Sequence, residues 1–237
     1  MQVDRPRRAQ ERRSNASGEA TRRLLLLTAE RLFAERGLDR VSLREIGAAA
    51  GQRNTRVAQY HFGSKDGLVQ AIFEHRLAGL EERRRARLDA IEAEGRTRDV
   101  PALVEALVLP LVEEVRSGSY YVRFLHQLSL HPLALHPWWR APAEMVASAV
   151  RTRDLLAAAT PAVPPALRAE RFQLATATLV ARLSRLGPEG LDGDGRGDAL
   201  PFDVVVADLV DAVAALFQTE PSAATRAALR RRRRPAG

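Results

Sequence analysis

The sequence predicts an all-α protein, with three short helices near its start and a larger helical body behind them. Three observations carry this. Apolar residues recur at i, i+3 and i+4 in one segment after another, and no stretch shows the strict alternation of a convincing strand. Several segments open on a capping residue and close on a glycine, which is the punctuation of helices. In the second half, prolines and one glycine-rich stretch cut the chain into helix-length pieces.

Residues 1–20 are polar and Arg-rich, with no apolar period, and read as a disordered basic arm. The first helix spans about 21–36, with Leu25, Leu26, Ala29, Leu32 and Phe33 on one face. Gly37 stands where a left-handed residue ends a helix, and Leu38 follows it in position to touch Phe33. The second helix has a full start signal. Ser42 and Glu45 form a capping box, and Val41 and Ile46 a hydrophobic staple. Leu43, Ile46 and Ala50 supply its apolar face and Gly51 closes it. The third helix is expected over 55–61, capped by Asn54. Val57 and Tyr60 should face inward, leaving Thr55, Arg56 and Gln59 outward, and Gly63 closes it. Ser64 caps a fourth helix over 65–94, buried along Leu68, Val69, Ile72, Phe73, Arg76 and Leu80. Its later part, EERRRARLDAIEAE, is expected to cross solvent with pairs such as Glu81–Arg85.

Further helices are expected over 101–116, 120–130, 138–159, 166–186 and 202–217, with a flexible loop over 187–197 and a disordered Arg-rich tail over 221–237. The domain reading is therefore an arm (1–20), a small helical domain (21–66), a larger helical domain (67–220) and a tail (221–237).

Charge is distributed unevenly. The net charge is +8. Residues 1–23 hold seven Arg against Asp4, Glu11 and Glu19, and residues 222–237 hold six Arg and no acid, so the body between them is slightly acidic. Basic ends of this kind attract polyanions or keep a protein soluble. The chain has no cysteine, which excludes disulfides and thiolate metal sites and fits a reducing compartment. No apolar run approaches the ~18 residues of a membrane span, and Leu24–Leu27 is too short for a signal segment. A cytoplasmic protein with no membrane partner is expected.

The chemistry concentrates between Arg40 and Lys65. Arg40, Arg44, Arg53, Arg56 and Lys65 face only one acid there, Glu45. Two short helices joined by a tight glycine turn describe a helix-turn-helix, whose second helix can enter a major groove. That places Arg53, Asn54, Thr55, Arg56 and Gln59 at base edges, where Arg pairs with guanine and Asn or Gln with adenine. Lys65 opens the fourth helix, where a cation opposes the macrodipole unless a phosphate docks there. Tyr60 and His61 precede it and can donate to phosphates; His61 reads equally as a packing residue. Ser42 and Arg44 open the helix that crosses the backbone and are further phosphate candidates.

Residues from about 21 to 75 resemble the DNA-binding domain of the TetR family of bacterial transcriptional regulators. The matching elements are Leu32-Phe33-Ala34-Glu35-Arg36-Gly37, then Ser42-Leu43-Arg44-Glu45-Ile46-Gly47-Ala48-Ala49-Ala50-Gly51, then Tyr60-His61-Phe62-Gly63-Ser64-Lys65-Asp66-Gly67-Leu68. The stretch from Gly51 to Phe62 is one residue longer than the commonest family pattern, with Gln52-Arg53-Asn54 filling the turn. The resemblance implies a homodimer with a helical ligand-binding and dimerisation domain, most often a repressor released from its operator by a small molecule. The pairing helices it implies are those over 166–186 and 202–217, which otherwise only cover their own core.

For the ligand, Tyr120, Phe124, His126, Gln127 and Trp138 cluster in the middle of the second half, with Phe172 further on. Aromatic and polar groups so placed can line a pocket or simply fill a core. His126, His131 and His136 recur at i, i+5 and i+10, which is not a helical metal pair, so no metal and no cofactor is expected. No nucleophile–base constellation or phosphate loop points to an enzyme. The leading reading is a ligand-released repressor on a palindromic operator. The alternatives are an architectural DNA-binding protein driven by its basic ends, or an activator without ligand control.

Overall fold

In a computed structural model of the chain, the structure describes residues 5–131, 146–186 and 200–232, and those residues form helices and their connections. The helices are α1 (Arg5–Arg36), α2 (Leu43–Ala49), α3 (Val57–Phe62), α4 (Lys65–Ala93), α5 (Val100–Arg116), α6 (Tyr121–Ser129), α7 (Ala147–Ala159), α8 (Pro165–Leu183), α9 (Phe202–Gln218) and α10 (Ala223–Arg232). They cluster into two compact units. The first holds residues 1–79 and 118–145, the second 80–117 and 146–237. The expected all-α class is what the structure shows.

At the ends, α1 begins at Arg5, before the expected start at 21, and α10 lies within the Arg-rich stretch after 220. The reason is local. Arg, Ala, Gln and Glu are strong helix formers, Pro6 sits in a first turn that tolerates it, and only Gly18 interrupts the run to Gly37. Absence of an apolar stripe removes the means of packing, not the propensity to wind.

In the first unit, α1 is the axis. Leu25, Leu26, Ala29, Leu32 and Phe33 are buried along it. α6 lies against this stripe with Tyr121, Phe124, Leu125 and Leu128, at the i, i+3, i+4 and i+7 positions of one face. The Phe124 ring stands 6.3 Å from Phe33 and 6.1 Å from Tyr121. Chain order places this helix in the larger domain; its aromatic stripe packs it instead with the N-terminal helices. Gly37 ends α1 at φ +81°, with its N–H donating to the Phe33 carbonyl at 2.9 Å, and Leu38 is buried beside it.

In the second unit, α5 is the buried core, with twelve of its seventeen residues inside. Asp99 caps it, accepting from the Ala102 N–H at 3.1 Å, and this bond, with Arg96, holds the Asp99 carboxyl below its ordinary range. α7, α8 and α9 pack on α5, and α8 packs on α9. The charged half of α4 does not cross solvent as its composition suggests. Leu88 and Ile91 are buried, and its charges pair across helices rather than along it. Arg83 reaches Glu114 at 2.5 Å and Glu113 at 3.2 Å, while Arg87 reaches Glu113 at 2.7 Å. Arg151 of α7 spans Asp89 and Glu92 at 2.6 and 2.7 Å. Glu81, expected to pair with Arg85, instead accepts from the Ser148 N–H and hydroxyl at 2.5 and 2.7 Å.

Candidate nucleic-acid interface

The frame of the site is α2, fixed at its start by its own sequence. Ser42 Oγ accepts from the Glu45 N–H at 3.2 Å, and Glu45 Oε2 accepts from the Ser42 N–H and hydroxyl, each at 2.8 Å. Arg36 reaches Glu45 at 3.0 Å. Together these donors, the Ser42 N–H first, hold the Glu45 carboxyl at about 2. The one acid between Arg40 and Lys65 is therefore tied into the cap and offset by Arg36. Val41 and Ile46 are buried as the staple requires.

The glycine after the cap sets how close α3 can come. A Cβ at Gly47 would stand 2.8 Å from the carbonyl oxygen of Thr55 and 3.1 Å from its Cα. Gly47 thus lets the turn into α3 press against α2. Gly67 does the same at the far end, where a Cβ would lie 2.3 Å from the Phe62 carbonyl oxygen. Neither glycine role is visible in local periodicity, because both contacts are to backbone that another turn of chain supplies.

α3 is shorter than expected and begins at Val57. Asn54 does not cap it directly. Its Oδ1 accepts from the Arg56 N–H at 3.0 Å, forming an Asx-type turn, and its carbonyl accepts from Val57. α3 also buries a different face from the one expected. Ala58 is fully buried, while Tyr60, expected inward, is 84% exposed. Its ring meets His61 edge-on at 5.3 Å, and His61 lies 6.1 Å from Phe62. Gly63 turns the chain at φ +71°. Ser64 Oγ then caps α4 by accepting from Gly67 N–H at 3.0 Å, which places Lys65 on its first turn.

The residues expected at DNA fall into three groups. Arg44, Arg53, Arg56 and Gln59 are exposed, Lys65 is half-exposed, and none of their side chains has a hydrogen-bond or ion-pair partner among the described residues. Tyr60 and half-buried His61 adjoin Lys65 in sequence. Ser42, Asn54 and Thr55 are differently engaged. The Ser42 hydroxyl proton goes to Glu45, so Ser42 has no donor left for a phosphate while the cap is closed. The Asn54 oxygen accepts from the Arg56 N–H in the turn, which occupies one of its two lone pairs and fixes the side chain against the backbone. Thr55 is half-buried against Gly47.

Two family models match the chain. One, described as bacterial regulatory proteins, tetR family, covers residues 25–72. The other, described as the tetracyclin repressor-like C-terminal domain, covers residues 101–215. The chain belongs to the TetR family. It is a DNA-binding transcriptional regulator, and the α2–α3 pair described above lies within the first match. No curated protein matches the chain.

Of the residues expected around a ligand, Tyr120, Phe124, His126 and Gln127 belong to the first unit of this TetR-family protein and Phe172 to the second. Phe124 is wholly buried in the first unit against Phe33, so it fills core between α1 and α6. Gln127 lines a polar cleft of about 390 Å³ with Arg36, Asp39, Arg40 and His131. Tyr120 and His126 are half-exposed at the start and on the flank of α6. Phe172 belongs to the second unit, beside Leu156, Thr160 and Phe217, at a cavity of about 10 Å³, room for about one water. Trp138 lies outside the described residues, as does His136.

Proposed function

We propose that this regulator is a homodimeric repressor that binds an imperfect palindrome and is released by a small molecule. The observation that supports the reading best is the set of unpartnered donors on one helix pair. Among the described residues, Arg44, Arg53, Arg56, Gln59 and Lys65 all leave their polar ends without a partner, beside a Tyr60 that is 84% exposed. Exposing a tyrosine so fully and leaving cations uncompensated suits a surface completed by phosphates and base edges. In this reading Lys65 and Tyr60 clamp the backbone, with the N-terminus of α4 adding its dipole. Arg56 and Gln59 read bases, with Arg53 beside them and Arg44 on the flanking phosphate.

A dimer would present two such surfaces one DNA turn apart, about 34–36 Å. α8 and α9 are the proposed seam. They pack on each other yet leave Leu174 and Val204 about half exposed, at 52% and 47%. An effector would act by binding one arrangement of the pair better than another. A coupling of about 1–3 kcal/mol changes DNA affinity by roughly 5–150-fold.

Gel shifts of four variants at two salt concentrations test the DNA reading. Lys65→Ala and Tyr60→Phe should weaken binding to all sequences, with a shallower salt slope for the lysine. Arg56→Ala and Gln59→Ala should change the preferred base. Unchanged binding by all four would remove the assignment.

A further inference from the structure

The outer faces of α8 and α9, both in the second unit, end in opposite charge. On α8 the exposed stripe runs through Glu170, Leu174, Ala177, Thr178 and Arg182 to Arg185 in the turn that follows the helix. On α9 it runs through Val204, Ala207, Asp208, Asp211, Ala212 and Ala215. Residues three and four apart share a helix face, so each set is one stripe. The opposite faces are spent inside the copy, where Leu179 and Leu183 of α8 and Val206, Leu209 and Val213 of α9 are buried. α9 holds no basic residue at all. Its first acid, Asp203, is already paired with Arg116 of α5, whose guanidinium lies 5.2 Å over the Phe202 ring. Asp208 and Asp211 have no hydrogen-bond or ion-pair partner among the described residues, and neither do Arg182 and Arg185. Beyond Val204 the α9 stripe is alanine and aspartate, small enough for another helix to approach within the usual ~8–10 Å.

The spacing along the two stripes matches. Within one copy α8 and α9 run antiparallel, since Arg171 near the start of α8 donates to the Phe217 carbonyl at the end of α9 at 3.1 Å. A two-fold axis across the pair turns the second copy's α9 parallel to the first copy's α8. Leu174 and Arg182 are eight residues apart, and Val204 and Asp211 are seven apart. At ~1.5 Å per residue these are about 12 and about 11 Å. One register therefore sets Leu174 on Val204 and Arg182 on Asp211 together. Arg185 and Ala215 each stand eleven residues beyond the apolar anchor. Arg185 thus passes over an alanine, one turn from Asp211. The same axis repeats every contact on the other side.

We propose that α8 of one copy lies on α9 of a second copy, and that Arg182 and Arg185 facing Asp208 and Asp211 fix the register and select this chain's own copy as partner. The inference rests on the homodimer reading above and adds to it the residues that choose the partner. The occupant is a second copy because the surface complements itself: an apolar anchor meets an apolar anchor, and a basic helix end meets an acidic stripe. A helix pair of similar shape with acids on both stripes, or bases on both, meets like charge at this seam and is rejected. Charges at the edge of an interface act mainly on choice and register, while the apolar and close-packed part supplies most of the affinity.

The test uses full chains and exchanges the charges. One variant, acidic on both stripes, carries Arg182→Glu and Arg185→Glu. A second, basic on both, carries Asp208→Arg and Asp211→Arg. All four positions are exposed, so the monomer fold should survive, which thermal melting by circular dichroism checks. Each variant alone should dimerise about tenfold more weakly than the unsubstituted chain, or worse, in sedimentation at low salt. Mixed in equal amounts with tags of different mass and left to exchange subunits, the two should give about nine-tenths heterodimer or more by native mass spectrometry, against the half that random pairing gives. A chain carrying all four substitutions restores opposite charge across the seam and should regain the homodimer. Random pairing in the mixture, undiminished dimerisation of each variant alone, or a four-substitution chain as weak as either variant overturns the proposal. If the unsubstituted chain is itself a monomer, the homodimer reading falls as well; if it dimerises and the charge exchange has no effect, only this proposal falls.

Discussion

Glu30 and Arg76 bring opposite charges into the core of the first unit. Glu30 is 2% exposed, and Arg76 holds it as a fork, with Nε at 2.7 Å and the second nitrogen at 2.8 Å. The pair costs desolvation to form, and breaking it costs more, because the remaining charge is stranded. Arg76→Met should lower stability by about 3 kcal/mol or more in urea unfolding, while Glu30→Met with Arg76→Met should recover most of it. The sequence marked Arg76 as lying on a buried face, but only the fold names its partner 46 residues away. Gly47 is a second case. Gly47→Ala places a methyl 2.8 Å from the Thr55 carbonyl oxygen and must push α3 off α2. The expected result is about 1–3 kcal/mol of destabilisation with loss of operator binding in gel shifts.

Helices add capping and stripes to this. The Glu45 carboxyl, ordinarily near 4.5, is held at about 2 in the folded chain by the capping box and Arg36. Between those values the unfolded chain binds the proton that the folded chain refuses, so stability from this cap is complete above about 4.5 and is lost as pH falls toward 2. The thermal midpoint of the unsubstituted chain should therefore fall more steeply between pH 5 and 3 than that of Glu45→Gln. α6 offers a test of a different kind. Phe124 is fully buried between Phe33 and Tyr121. Phe124→Ala should cost about 3–5 kcal/mol in denaturation. A stable variant altered only in ligand response would restore the pocket reading.

For the whole molecule, the proposed seam on α8 and α9 governs function if two copies must read one palindrome. Leu174→Glu with Val204→Glu places charge on exposed positions, so the monomer fold should survive. Sedimentation should then show monomers, and operator affinity should fall by at least the loss of linked binding, about a hundredfold. A variant that stays dimeric with both changes would place the seam elsewhere. Within the second unit, the ion pairs of α4 with α5 and α7 are mostly half-exposed. Each contributes little alone, and their main effect is to fix which faces meet.

Local chemistry settled much of this protein before any folding. Ser42 with Glu45, Val41 with Ile46, and the glycines at 37, 51 and 63 act within a few residues of themselves, so the helix ends and the all-α class are legible in sequence. The tetR motif is legible for the same reason, since its residues cap, turn and pack locally. Tertiary structure decided what depends on residues far apart in the chain. It set α6 on α1, paired Glu30 with Arg76, gave the charges of α4 to α5 and α7, pressed Thr55 against Gly47, and turned Tyr60 outward. Burial and charge pairing are properties of neighbours in space, and no periodicity along one segment encodes which distant segment those neighbours come from.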